Sequence, residues 1–299
     1  AKNSSVSSTL KRCELILTGA CNFKCPYCRS IGEHIPLQTA QTILNFWIED
    51  KLENIRFSGG EPTLYQGLEK LVTIAKNGGV KNIAISTNGS APFEKYKKLV
   101  ELGVTDFSIS LDACCAEDAD SMAGRDGYFD IVINNIRDLS KICYVTVGVV
   151  LTETNTPKIC EIIKFADSLG VSDIRIIPAA QVSQNLPDFK LDELNGLHPI
   201  LRYRLQNITN KIPVRGISET DSHKCGLVLD DMAVMGDKHY PCIIYMRESG
   251  NPIGKISAHM RSEREEWYQN HDTHKDPICS KNCLDVCKDY NNKFREFHE

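Results

Sequence analysis

Short runs rich in β-branched and aromatic residues recur at 13–17, 55–58, 83–87, 107–111, 144–151 and 174–178, each bounded by glycine, proline or polar residues. Runs of this length and composition read as strands. Between them, apolar residues return every three or four positions, which predicts helices near 38–49, 65–78, 92–102, 128–140 and 157–169. The last of these sets Ile159, Ile162, Ile163 and Phe165 along one face. A further helix is expected over 191–208. Strand and helix alternate in this way six times, as βα units on a parallel sheet do. Six units are too few to close an eight-stranded barrel, yet right-handed crossovers still curve the sheet. The expected fold class is α/β, an open, partial (β/α)6 TIM-like barrel over 13–215, preceded by a flexible polar segment over 1–12.

Past residue 212 helix periodicity gives way to a hairpin-like pattern, 228–234 and 238–244, turning at Gly236-Asp237. A second, small module is therefore expected over 216–299. In parallel α/β architectures the chemistry collects at the carboxyl ends of the strands, so polar residues just after each run become the site candidates.

Composition narrows the function classes. With 299 residues and 41% hydrophobic content the chain can bury a large core. Lys+Arg 35 against Asp+Glu 39 gives a net charge of -4 without a basic run, which argues against a nucleic-acid partner. No run approaches the ~20 apolar residues of a membrane-spanning helix, and nothing reads as a signal peptide. A cytoplasmic protein is expected. Thirteen cysteines, an odd number concentrated in two tight groups, point to metal binding rather than a disulfide framework.

The first group, Cys21, Cys25 and Cys28, has the spacing CxxxCxxC and packs three thiolates into one loop directly after a strand. It offers no fourth ligand. A closed zinc site wants four, so an iron–sulfur cluster with one open iron fits better; a zinc loop borrowing a distant ligand is the alternative. The second group is Cys225, Cys242, Cys279, Cys283 and Cys287, enough for one four-ligand cluster with one cysteine to spare, or for a structural zinc.

Cys21-Asn22-Phe23-Lys24-Cys25-Pro26-Tyr27-Cys28, followed by Gly59-Gly60-Glu61-Pro62 at the end of the second strand, resembles the radical S-adenosylmethionine (SAM) superfamily. The tail, from Cys225 through Gly236 and Tyr240-Pro241-Cys242 to Cys279, Cys283 and Cys287, resembles the cysteine-bearing extension called SPASM or its shorter relative called twitch. The resemblance implies two [4Fe-4S] clusters. The first would be held by Cys21, Cys25 and Cys28 and would chelate SAM. The auxiliary one would be held by four of the five tail cysteines, and spacing does not say which four.

It further implies that Gly59, Gly60, Glu61 and Pro62 bind the methionyl amino group, with Glu61 supplying negative charge. Ser86, Asn88 and Ser110 would contact ribose and methionine, with Asp112 reaching SAM or substrate. Thr152, Asn155 and Ile177 stand where family members contact adenine or the sulfonium, and Tyr27 stands at the aromatic position beside the adenine. Two further residues are weighed as catalytic. Cys115, beside Cys114 at the rim, is placed to return a hydrogen atom; its plainer reading is packing under a loop. Arg125 is placed to meet an anionic substrate; its plainer reading is a surface ion pair.

By this resemblance an external donor such as flavodoxin or ferredoxin reduces the first cluster, SAM is cleaved to a 5′-deoxyadenosyl radical, and a substrate hydrogen is abstracted. Oxidation, bond formation or epimerisation follows. The substrate expected first is a ribosomally made peptide, and the alternative is a small molecule such as a sugar, aminocyclitol or nucleoside. A zinc-binding scaffold without redox chemistry is the non-enzymatic alternative.

Overall fold

The computed structural model describes residue 5 and residues 9–181 and 198–298. Six parallel strands carry the first part: β1 (Arg12–Ile16), β2 (Asn54–Ser58), β3 (Asn82–Thr87), β4 (Asp106–Ser110), β5 (Tyr144–Leu151) and β6 (Asp173–Pro178). The helices between them are α1 (Leu37–Glu49), α2 (Leu68–Asn77), α3 (Phe93–Leu102), α4 (Ala116–Ala123), α5 (Phe129–Leu139) and α6 (Ile159–Ser168). Helix α7 (Pro199–Thr209) follows β6. The stretch 191–197 of the helix expected over 191–208 lies outside the described residues.

Successive side chains on a strand face opposite sides, and here the two sides differ in kind. Cys13 and Leu15, Ile55 and Phe57, Ile83 and Ile85, Phe107 and Ile109, Val145, Val147 and Val149, and Ile174 and Ile176 join the helices in one contiguous core. The alternate positions face the lumen and are largely polar: Glu14, Arg56, Ser58, Ser86, Ser108, Ser110, Gly148 and Arg175. A closed barrel fills that space with branched apolar side chains. This one leaves it hydrophilic.

Helix α4 is absent from the expected elements. Its eight residues bury only Ala123, so its apolar periodicity is faint. It ends on Gly124, which sits in the left-handed region at φ 62° and closes the helix, the glycine C-terminal signal that would have revealed it.

The tail continues the same sheet. Strand β7 (Asp231–Met235) pairs in parallel with β1, from Arg12↔Asp231 to Ile16↔Met235. Strands β8 (Lys238–Tyr240) and β9 (Gly254–Lys255) follow antiparallel, giving the order β6-β5-β4-β3-β2-β1-β7-β8-β9. The hairpin turns at Gly236-Asp237 as expected, but its second strand ends at Tyr240. Pro241 has no amide to extend the ladder. Cys242 then caps α8 (Ile243–Arg247), its sulfur accepting from the Tyr245 amide at 3.4 Å, so 243–244 are helical rather than extended. Helices α9 (Met260–Asn270), α10 (Pro277–Asn282) and α11 (Asp285–His298) complete the tail.

Arg264 of α9 is fully buried and ties this region together. Its guanidinium donates to the carbonyls of Val228, Asp231, Tyr240 and Pro241 and contacts Nδ1 of His239. Burial holds its titration down to about 10.

Candidate active site at the strand ends

The loop after β1 is held by its backbone. Leu17 donates to the Ser58 carbonyl at 2.9 Å, Gly60 to Thr18 at 2.7 Å and Glu61 to Ala20 at 2.8 Å. Such closeness demands glycine: a Cβ on Gly59, at φ 151°, would stand 2.4 Å from the Thr18 carbonyl oxygen, and one on Gly60 would stand 2.3 Å from that of Ala20. On its other side the loop is pinned by Lys24 donating to the Ala123 carbonyl at 2.7 Å. Arg125 donates to the Asn22 carbonyl at 3.3 Å and lies 4.8 Å over the Tyr128 ring.

Cys21, Cys25 and Cys28 thus stand together at one wall of a cavity of about 200 Å³. Phe23, Tyr27, Ser58, Gly59, Gly60, Ser86, Thr87, Asn88, Ser110 and Asp112 complete its strand-end side. Ala119 and Met122 of α4, Tyr128, Phe129 and Arg247 close the other. Cys21 and Cys28 are exposed and Cys25 is half-buried. The Phe23 amide donates to the Cys21 sulfur and the Ser30 amide to the Cys28 sulfur, each at 3.4 Å, which suits thiolates held for a cation. Burial and the Asp112 charge push the free Cys25 thiol up to about 12, so ionisation there calls for a bound positive centre.

A second cavity of about 420 Å³ adjoins the first, and Tyr27, Asp112 and Met122 line both. Asp112 is buried; it accepts from the Val150 amide at 2.6 Å and from the Tyr27 hydroxyl. Burial raises its carboxyl to about 6 despite those bonds. Asn155 braces the same corner, donating to the carbonyls of Asp112 at 3.1 Å and Val150 at 2.9 Å while accepting from the Thr152 amide at 2.8 Å. Thr152 and Asn155 line the second cavity, which is also walled by Asp118, Lys158 and Gln181.

Several residues singled out from the sequence lie elsewhere or act differently. Glu61 is fully buried behind the cavity wall. Its carboxylate accepts from the Thr63 amide (3.0 Å), the Thr63 hydroxyl (2.7 Å), the Thr87 hydroxyl (2.8 Å) and the Asn88 amide (2.7 Å). The negative charge expected to meet an ammonium is therefore spent on orienting Asn88, whose amide in turn reaches Asn22 at 2.8 Å and the Cys21 sulfur at 3.9 Å. Pro62 is buried at the start of the 3-10 turn Pro62–Leu64 beside it and lines neither cavity. Ile177 lines neither cavity. Cys115 sits exposed at the start of α4 beside the Asp118–Lys158 ion pair, outside both linings. Cys114 packs against the core. Arg125 positions the cysteine loop rather than facing the cavity.

Arg247 was not legible from the sequence. It is half-buried at the last position of α8 and makes no hydrogen bond or ion pair among the described residues. The next residue, Glu248, takes both oxygens to Arg29 at 2.7 Å, and this pair fastens α8 to the cysteine loop.

The five tail cysteines converge on a separate apolar pocket of about 40 Å³, walled also by Leu227, Ile244, Trp267, Ile278 and Leu284. All five thiols are raised chiefly by burial, Cys242 to about 12. Such a dry, sulfur-lined site fits a metal cluster, because the cation supplies the charge that free thiolates would lack. Beside it His271, Asp276 and Cys279 bring ligand atoms within 4.8 Å of one another. Three other tail histidines are engaged in protein contacts: His239 is fully buried against Glu263 at 2.8 Å, and His223 stacks on His274 at 3.7 Å.

The sequence model of the radical SAM superfamily matches residues 15–166. The chain belongs to the radical SAM superfamily. It is an enzyme of that superfamily, whose members carry a [4Fe-4S] cluster. Among similar proteins, the probable GTP 3′,8-cyclase of Metallosphaera sedula is 27% identical over 176 residues, covering 56% of this chain and 55% of that protein. The one of Sulfurisphaera tokodaii is 28% identical over 200 residues, covering 64% of each. The chain thus matches between 55% and 64% of the length of these two curated relatives.

Among solved structures, Streptococcus suis SuiB aligns with a TM-score of 0.60 at 18% identity, over 91% of this chain and 67% of that one. The structure described as anSMEcpe with bound AdoMet aligns with a TM-score of 0.64 at 16% identity, over 87% of this chain and 83% of that one. These two share the fold. SuiB too has been solved bound to S-adenosylmethionine. Among the described residues no helix is long and apolar enough to cross a membrane.

Proposed function

We propose that the protein binds SAM across the two adjoining cavities and uses it to abstract a hydrogen atom from a substrate. The observation that carries this reading is the trio Cys21, Cys25 and Cys28 on the wall of a cavity floored by strand-end glycines and hydroxyls. The residues fit a [4Fe-4S] cluster with one iron left for SAM. When reduced by an external one-electron donor, that cluster supplies the electron that cleaves SAM into methionine and a 5′-deoxyadenosyl radical, which takes a hydrogen atom from the substrate.

The chain's own part is binding, orientation and exclusion of water. Gly59, Gly60, Ser86, Asn88 and Ser110 present backbone and short polar groups to the methionyl and ribose ends. Tyr27, oriented by Asp112, stands where the two cavities meet, suited to the adenosine.

The tail is read as a SPASM- or twitch-like module in which four of the five sulfurs hold one auxiliary cluster. With Cys115 outside both cavities, electron acceptance by that cluster, giving oxidation or bond formation, is favoured over hydrogen return from that thiol and hence over epimerisation. A small molecule is favoured as substrate over a peptide. The polar lumen and the similarity to proteins named GTP 3′,8-cyclase support it, and the peptide expected from the tail's resemblance becomes the outcome to test against.

The experiment is anaerobic reconstitution followed by incubation with SAM and dithionite. About eight irons per chain and release of 5′-deoxyadenosine are expected, from two four-iron clusters. A colourless protein holding zinc at both cysteine groups would overturn the reading.

A further inference from the structure

Two arginines face each other across the lumen with no ion pair to either among the described residues and a single carboxylate, Glu14, as register partner of Arg56. Arg56 of β2 donates through Nη1 to the Ser86 hydroxyl at 2.8 Å, and Arg175 of β6 donates through Nη2 to the Ser108 hydroxyl at 3.2 Å. Ser86 and Ser108 are register partners on β3 and β4, so the two guanidinium groups are moored at the ends of one serine pair. To reach Ser108, Arg175 must cross β5, and the residue it crosses is Gly148, its own register partner. A Cβ at 148 would already stand 3.5 Å from Nη2, so a longer side chain there would occupy the arginine's path.

Two arginines nearby differ. Arg12 pairs with Asp231, and Arg204 lies 3.0 Å from Asp285. Neither Arg56 nor Arg175 forms an ion pair among the described residues, and Glu14, the register partner of Arg56, accepts from the Ser58 hydroxyl at 2.6 Å, so one negative charge stands beside two positive ones. The Arg175 guanidinium is reached by water yet enclosed by strands. Desolvation, then repulsion by Arg56, brings its titration down to about 10, with Glu14 opposing. Keeping two like charges converged and unpaired is unfavourable in the empty protein and favourable once an anion bridges them. Their planar forks match the oxygens of a phosphate. Ser86 also lines the first cavity, so this place adjoins the SAM site directly.

We propose that Arg56 and Arg175 form an anion seat, and that the substrate is a small molecule carrying a phosphate or polyphosphate group held there. The inference rests on the radical SAM reading above and names the substrate class of the same site. Gly148 is a positioning residue, acting through Arg175.

The test is calorimetric titration of the anaerobically reconstituted full-length holoprotein with inorganic pyrophosphate. The unaltered protein is expected to bind it, more weakly as salt is raised. Arg56→Gln and Arg175→Gln should each weaken binding at least about tenfold, Arg175→Lys less so, since it keeps the charge but loses the fork. Gly148→Val, which keeps both arginines, should also weaken it. Arg137→Gln on the exposed face of α5 should match the unaltered protein. Far-ultraviolet circular dichroism and iron content verify folding of each variant.

Absence of binding to the unaltered protein, unchanged affinity in the lumen variants, equal weakening by Arg137→Gln, or tighter binding of succinate than of pyrophosphate would each overturn the proposal. Deoxyadenosine formation by the unaltered protein, measured without pyrophosphate, reports on the radical reading alone. If deoxyadenosine forms and pyrophosphate does not bind, only the anion seat falls.

Discussion

The two cysteine groups are built on opposite plans. Cys21 and Cys28 are exposed on a loop whose conformation is imposed from outside, by Gly59 and Gly60 on one side and α4 on the other. The tail cysteines are half-buried, as Cys25 is, but share an apolar pocket beside helices that the buried Arg264 anchors to the hairpin. A cluster that must accept a ligand on one iron needs an open, rigid rim. One that only exchanges electrons is better served by exclusion of water. The exposure of Cys21 and Cys28 sets the loop apart from the tail more clearly than the number of sulfurs does.

The sharpest way to break this comparison is to remove one sulfur from each site. Cys25→Ala should abolish deoxyadenosine formation from SAM and dithionite, whereas Cys242→Ala should retain part of it and stop substrate conversion; chromatography of both products distinguishes the two. Equal loss of cleavage would mean that the sites do not divide the work. In the metal-free protein, the exposed Cys21 and Cys28 should react with iodoacetamide tens of times faster than Cys242 and Cys287, as followed by peptide mass spectrometry. Comparable rates would contradict the enclosed tail.

Stability should divide along the same line. Arg264→Leu leaves the carbonyls of Val228, Tyr240 and Pro241 without their donor, a loss of about 3 to 5 kcal/mol. Tail iron should be lost before loop iron, which a stepwise iron assay during urea denaturation would detect. Asp112 offers the smallest and most specific test. Its carboxyl is raised in the folded protein to about 6, so the stability it contributes is fully present below its unfolded value and is lost as pH rises through about 6. Between pH 4 and 7 the unfolding free energy should lose a component of up to about 3 kcal/mol that Asp112→Asn removes, as denaturant titrations at each pH would measure.

The strands were legible in the sequence because their outward residues are unbroken apolar alternations, as in Val145, Val147 and Val149. The three loop cysteines were legible because their spacing is local. What escaped the sequence depends on chain segments meeting. Glu61 reads as a ligand until Thr63, Thr87 and Asn88 are seen to saturate it. Arg247 lies on a five-residue helix in the tail and reaches the first cavity because Glu248 clamps that helix to Arg29. Arg56 and Arg175 look like ordinary strand charges until Gly148 lets one cross to the serine row. Helix α4 was missed because it buries so little, although Gly124 marked its end.

Strand β1 is hydrogen-bonded to β2 on one edge and to β7 on the other, and the loop bearing Cys21 leaves from its end. The cysteine loop and the tail hairpin are therefore tied to adjacent strands of one sheet. Cutting the chain before Asp231 would strip β1 to a bare edge open to self-association.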